Sequence, residues 1–208
     1  MAIPEHTIEI PSHDTLIAVL DEHSVPYDVW GEDGSRTTTD LYEEIREGES
    51  ALFVATDGLQ RYGTTVKVDV YHSADAHLLH LVEEAQHNRI TDTWRRRGLH
   101  NSLSEKRRAM HGEEPEAAAL RGLREELQDR NGKELMRTPP HTLQLTSHRV
   151  WPSQQECNYA GLPAINETHY YVAQLRPEQY DPSGYVERKV DRRGKILRET
   201  FFLWEMVV

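Results

Sequence analysis

The chain has 208 residues, 37% hydrophobic and 28% charged, a formal net charge of −11 and one cysteine. That length can bury a core without disulfide staples, and Cys157 alone makes neither an internal disulfide nor an all-cysteine metal site. The negative charge disfavours general nucleic-acid binding. No apolar run approaches the ~20 residues of a membrane helix, and MAIPEHTIEIPSHD lacks the basic start and apolar core of a secretory signal. A soluble, cytoplasmic protein is expected, with Cys157 as a small buried hydrophobe.

The first 63 residues read as a small αβαβ extension. Ser12 is placed to cap a helix in which Leu16, Ile17 and Leu20 recur at helical spacing. VPYDVW at 25–30 reads as a strand, followed by a turn with Gly31 and Gly34. A short helix opens near Thr39 and Gly48 ends it. ALFVA at 51–55 is a short strand bounded by the turn signal Asp57-Gly58.

From residue 64 to the end a second domain is expected. TTVKVDVYH alternates, with Val66, Val68 and Val70 on one face of a half-buried strand. HLLHLVEEAQ at 77–86 reads as the next strand, joined through His72–His77, and ITDTWRRR at 90–97 as another. A strong helix runs from about Pro115 to Arg130, with proline where its missing N–H is harmless. Strands then recur at 141–151, 168–175 and 198–208, separated by the turn-rich stretches YAGLP and DPSGY. Strands, a helix, then strands define a mixed α/β layer arrangement.

The helix sequence AAALRGLREELQD holds a glycine among good helix formers, at a cost of about 1 kcal/mol relative to alanine. At about 100° per residue, Leu120, Leu123 and Leu127 form one stripe for the core. Glu125 and Glu126 fall on the opposite side, flanking the azimuth of Gly122. Arg121 stands one turn before Glu125, at ion-pair spacing. Such a face is either a solvated acidic surface or a platform for a hard divalent cation, which takes carboxylate oxygens.

GEEPEAAALRGLREELQ resembles the Nudix signature, in which Gly, five residues, Glu, seven residues, Arg-Glu, an aliphatic, one residue, Glu-Glu, one residue, Gly and an aliphatic succeed one another. Glu113, Arg121, Leu123, Glu125 and Glu126 match it. Arg107, Gly122, Gln128 and Asp129 depart from it, and Gly122 stands where the glutamate of the Arg-Glu pair belongs. The resemblance implies a Nudix-like α/β/α sandwich with a mixed sheet. It further implies Mg²⁺- or Mn²⁺-dependent cleavage of a diphosphate linkage in a nucleoside diphosphate derivative. By the same resemblance Glu125 and Glu126 are metal ligands, Arg121 and Glu113 orient neighbouring groups, and a homodimer is possible. Because Gly122 removes a carboxylate that is commonly a ligand, a domain that binds a nucleotide or a protein without hydrolysis is the other reading. A glutamate of the C-terminal half facing Glu125 and Glu126 would favour hydrolysis, with Glu156, Glu167, Glu187 and Glu199 as candidates.

Residues 89–108 hold seven Arg or Lys against two acidic residues, a local net of +5 within an acidic chain. They read either as solvated charges or as a phosphate-binding rim beside the acidic platform, with Arg96, Lys106, Arg107 and Arg108 as its members. Among the twelve histidines, His77, His80 and His87 lack an HExxH pattern and suit surface and hairpin positions. Neither a G-x-S-x-G elbow nor a G-x-x-x-x-G-K-[ST] phosphate loop occurs. The loop YAGLPAI is an ordinary connection or a pocket wall in which Tyr159 or Trp151 stacks on a base.

Overall fold

The computed structural model describes residues 4, 6–32, 36–74, 77–96, 103–129, 133–153, 158–190 and 193–207. Cys157, Glu156 and Gly34 lie outside them. The elements begin with helices α1 (His13–Glu22) and α2 (Thr38–Arg46), followed by strands β1 (Ser50–Ala55), β2 (Gly58–Ala74), β3 (His77–Asn88), β4 (Thr93–Arg96) and β5 (Leu103–Lys106). Helix α3 (Pro115–Glu126) precedes β6 (Thr142–Ser153), β7 (Ala164–Gln174), β8 (Tyr185–Val190) and β9 (Ile196–Met206). This is the expected mixed α/β class. The nine strands among the described residues form one sheet in the order β6-β7-β2-β3-β9-β8, with β1 and β5 paired to β2 and β4 to β3. No helix among them is long and apolar enough to cross a membrane.

The chain divides into two compact units: residues 1–65, 106–115 and 148–169 form one, and 66–105, 116–147 and 170–208 the other. In the first, local signals set the helices. The Ser12 hydroxyl accepts from the Thr15 N–H at 3.1 Å, so α1 starts where the cap was expected. Thr37 and Asp40 cap α2 reciprocally, at 3.1 and 2.8 Å. Leu16, Leu20, Leu41, Leu52, Leu59, Tyr159 and Leu162 make its core. Residues 25–30, expected as a strand, instead hold a 3₁₀ turn at Tyr27–Val29. The reason is tertiary: Trp30 packs its ring 5.0 Å from Tyr159 and donates its indole N–H to Ala160 O at 2.8 Å. Edge pairing gives way to that anchor.

In the second unit the alternation of β2 is realised directly, with Val66, Val68 and Val70 all buried. They pack with Ala118, Ala119 and Leu123 of α3, with Leu127 just beyond it, and with Tyr171, Ala173, Tyr185 and Phe202. Each fully buried leucine contributes about 1.5–3 kcal/mol relative to exposure. Leu120 is only half-buried, so the apolar stripe is rotated from the leucine pattern toward the alanines. Helix α3 ends at Glu126, short of Arg130, because Gln128 bridges to Glu134 and Val186 and Asp129 donates its N–H to Lys133 O at 2.9 Å. Strands β3 and β9 pair antiparallel from Leu79↔Met206 to Asn88↔Arg198, and β8 pairs β9 beyond them. β5 and β8 were not expected from the sequence.

Candidate functional site

The helix face that carries Gly122 is covered rather than solvated. A Cβ on Gly122 would stand 2.9 Å from the Cβ and 3.3 Å from the Cγ of Glu105 on β5. The glycine therefore lets strand and helix approach closely, an ordinary reason for glycine inside an element. Glu105 then brings its carboxylate to Arg121, at 2.9 Å. Arg121 also reaches Glu125 at 3.6 Å, the expected one-turn ion pair.

The two adjacent glutamates differ sharply. The Glu125 side chain is 56% exposed, whereas Glu126 is 8% exposed. The expectation of two carboxylates on an outer face is corrected at Glu126, which shares its azimuthal sector with the covered Gly122 one turn earlier. Burial pushes the Glu126 carboxyl well above the usual range, and the charges of Glu187, Glu105 and Glu125 push it the same way, against Arg198. Of the four later carboxylates considered, Glu187 is thus the one that acts on Glu126; it also pairs with Arg198 at 3.5 Å. Glu199 is buried in ion pairs with Arg89 and Arg188.

Glu113 belongs to the first unit. Its carboxylate accepts the Arg108 N–H at 2.7 Å and its carbonyl accepts the Arg107 Nε–H at 2.6 Å, which ties the chain ahead of α3. The four basic residues have different surroundings. Arg96 is exposed on β4 of the second unit. Lys106 reaches Glu44 at 2.5 Å and Glu49 at 3.3 Å. Arg107 lies 3.8 Å from Glu167, and the Arg108 Nε is buried without a hydrogen-bond partner.

Lys106 lines a polar pocket of about 160 Å³ with Arg36, Arg61, Glu44, Ser50 and Tyr159, among others. Glu44, 5% exposed, is its hub, with Arg36 at 3.4 Å, Arg61 at 3.5 Å, and hydroxyl donors Ser50 and Tyr159 at 2.9 Å each. Burial pushes the Glu44 carboxyl up, but Lys106, then Arg61 and the Tyr159 hydroxyl, outweigh it and hold it below the ordinary value. Tyr159 is 1% exposed and its ring lies under the Arg61 guanidinium at 5.4 Å. A base therefore has no face of Tyr159 to stack on, and the YAGLP loop is a core connection. Trp151 is exposed on β6.

His80 stacks on Tyr71 and His87 on Trp94, at 4.6 and 4.3 Å. His87, expected at the surface, is buried, because its ring is covered by Trp94 of the paired strand β4. A different group escaped the sequence reading. His148, Glu167 and His169 offer ligand atoms that all lie within 4.8 Å of one another. Glu167-Thr168-His169 sits on β7, where the period of two puts Glu167 and His169 on one face. That pattern was readable; the approach of His148 from β6 was not, because the register between strands is a tertiary property. Burial, then the charges of His148 and Arg107, push His169 down to about 4, and burial pushes Glu167 up.

No protein-family model matches the chain, and no curated protein matches it. Among solved structures, the chain is similar to the NUDIX domain of Shewanella oneidensis NrtR complexed with ADP-ribose. That similarity has 15% identity and a TM-score of 0.37, and covers 69% of this chain and 71% of that one. It is also similar to an ADP compounds hydrolase, at 16% identity and a TM-score of 0.25, covering 73% of this chain and 68% of the other. Likenesses this distant do not bear on the chemistry, which rests on the residues of α3 and their neighbours.

Proposed function

We propose that this protein is a divergent Nudix-type hydrolase that cleaves a diphosphate linkage in a nucleoside diphosphate derivative. Residues 64–208 form the catalytic domain in this reading, and residues 1–63 its extension. The observation that carries it is the environment of Glu126. Burial, and then the charges of Glu187, Glu105 and Glu125, push this carboxyl toward its protonated form. Like charges gathered around a buried acid are costly for stability alone, and they are the hard oxygen donors that Mg²⁺ or Mn²⁺ takes. In this reading Glu125 and Glu126 would be ligands of a divalent cation, with Glu187 or Glu105 as further oxygen donors. Their side chains would have to draw together around it, because among the described residues these carboxylates do not converge on one focus.

A bound cation would neutralise diphosphate charge and lower the pKa of an attacking water. The chain's own contribution is to hold and orient. Arg121, fixed between Glu105 at 2.9 Å and Glu125 at 3.6 Å, restrains both carboxylates. Glu105 supplies, from β5, a carboxylate beside the position where the helix has only Gly122. Glu113 sets the chain entering α3 through its two hydrogen bonds. The phosphate contact is narrowed to Arg96, which is exposed, because Lys106 and Arg107 already face buried carboxylates.

One observation favours the second reading, a nucleotide- or protein-binding domain without hydrolysis. The space beside Gly122 is filled by Glu105, whose charge Arg121 already compensates. A release assay separates the two, run over nucleoside diphosphate derivatives including ADP-ribose with Mg²⁺ and Mn²⁺. Hydrolysis predicts metal-dependent turnover that Glu125→Gln and Glu126→Gln each abolish. Turnover unaffected by both variants, or none across the panel, would remove the hydrolase reading; nucleotide binding without turnover would establish the second.

A further inference from the structure

We propose that His148, Glu167 and His169 form a separate binding site for a transition-metal ion of the zinc class, independent of the acidic residues of α3. The three side chains belong to one unit of the chain. Glu167 Oε1 lies 3.0 Å from His148 Nε2 and 3.5 Å from His169 Nε2. A tetrahedral zinc ion with ligand bonds of about 2.0–2.1 Å spaces its donors about 3.3 Å apart along each edge. The two measured edges bracket that spacing. The remaining imidazole–imidazole edge is no longer than 4.8 Å, and the two rings stack with centroids 4.3 Å apart.

The arrangement is poorly used as a hydrogen-bond cluster alone. Two imidazoles compete for one carboxylate oxygen, and only His148 reaches it at hydrogen-bond distance. His169, 8% exposed, has its Nδ1 buried with no hydrogen-bond partner. That atom is not one of the proposed ligand atoms: a metal bound at Nε2 leaves the ring proton on Nδ1, so the orphaned Nδ1 gains no partner from the ion. A cation at the shared focus would give both Nε2 atoms and Oε1 one common partner.

The surroundings suit such a site in two ways and oppose it in one. Tyr62 donates its hydroxyl to the other oxygen, Oε2, which fixes the Glu167 carboxylate and leaves Oε1 directed at the histidines. The His148 side chain is 39% exposed, so an ion can enter from solvent and keep a water or a substrate atom as fourth ligand, as at open zinc sites. Arg107, 3.8 Å from Oε1, competes for the same oxygen and lowers affinity. Two imidazoles with one carboxylate favour Zn²⁺ or Co²⁺ over Mg²⁺, which takes oxygen donors.

The test is a Co²⁺ titration of the full chain followed by visible absorption, with Zn²⁺ competition. The expected result is one equivalent of Co²⁺ with the intense bands of a four-coordinate site, bleached by Zn²⁺. His148→Ala, at the exposed member, should weaken the affinity about tenfold or more; Glu167→Gln, which keeps the side-chain shape, should do the same. Arg107→Gln should tighten it. Glu125→Gln and Glu126→Gln should leave the intense four-coordinate bands unchanged, so this site stands or falls separately from the hydrolase reading. Absence of a one-to-one complex, a titration unaltered in His148→Ala and Glu167→Gln, or one abolished in Glu126→Gln would overturn the assignment.

Discussion

Replacing Gly122 with alanine sets two known effects against each other. At an exposed helix interior the change would stabilise by about 1 kcal/mol through propensity. Here the new Cβ would lie 2.9 Å from the Cβ of Glu105, and both atoms are fixed directly to the backbones of packed elements. Neither can swing away as a flexible side-chain end would. Forcing a methyl into such a contact costs about 1–3 kcal/mol. The expected net is a loss of about 1 kcal/mol, equivalent to about 2–4 °C in Tm for a chain of this size. Urea denaturation followed by circular dichroism, with thermal melts alongside, measures it. Stabilisation by the full propensity gain would refute the close approach of β5 to α3. Gly122→Glu should destabilise further and bring no tighter Mn²⁺ binding while Glu105 occupies the space.

The same cluster predicts a pH effect in metal-free protein. The Glu126 pKa is raised above its unfolded value of 4.5, so the native state holds its proton longer. The penalty is absent below that value, grows as pH rises toward the raised native pKa, and is complete above it. Glu126→Gln should therefore stabilise the protein at pH 7–8, and a gain that did not shrink at pH 4 would contradict this origin. At the other polar centre, Lys106→Met should cost about 1.5–3 kcal/mol, toward the lower end because Arg36 and Arg61 still face Glu44. Denaturant unfolding checks it, and a neutral result would mean the Lys106 pair is solvated.

What the sequence disclosed follows from how local each cause is. The Ser12 cap, the period of two in TTVKVDV and the proline opening α3 act within a few residues, and each appears where expected. VPYDVW carries an alternating apolar pattern, but the partners that bend it are Tyr159 and Ala160, some 130 positions away. LSEK and YVERKV are short and polar, and only pairing with longer strands makes them β5 and β8. The site divides in the same manner. The ion pair of Arg121 with Glu125 was legible from spacing. The burial of Glu126, the arrival of Glu105 and Glu187, and the meeting of His148 with Glu167 all depend on registers between strands that no local pattern encodes.

The charge balance around α3 joins the glycine to the proposed chemistry. Glu105, Glu125, Glu126 and Glu187 supply four carboxylates, and Arg121 and Arg198 are among the cations that face them. Burial, and then the neighbouring carboxylates, push Glu126 toward its protonated form. Gly122 makes this arrangement possible. A glutamate side chain there would meet Glu105, so a carboxylate supplied by the strand takes the place of one supplied by the helix. Glu105 on β5 therefore brings a negative charge to the side of α3 where the helix itself has only Gly122.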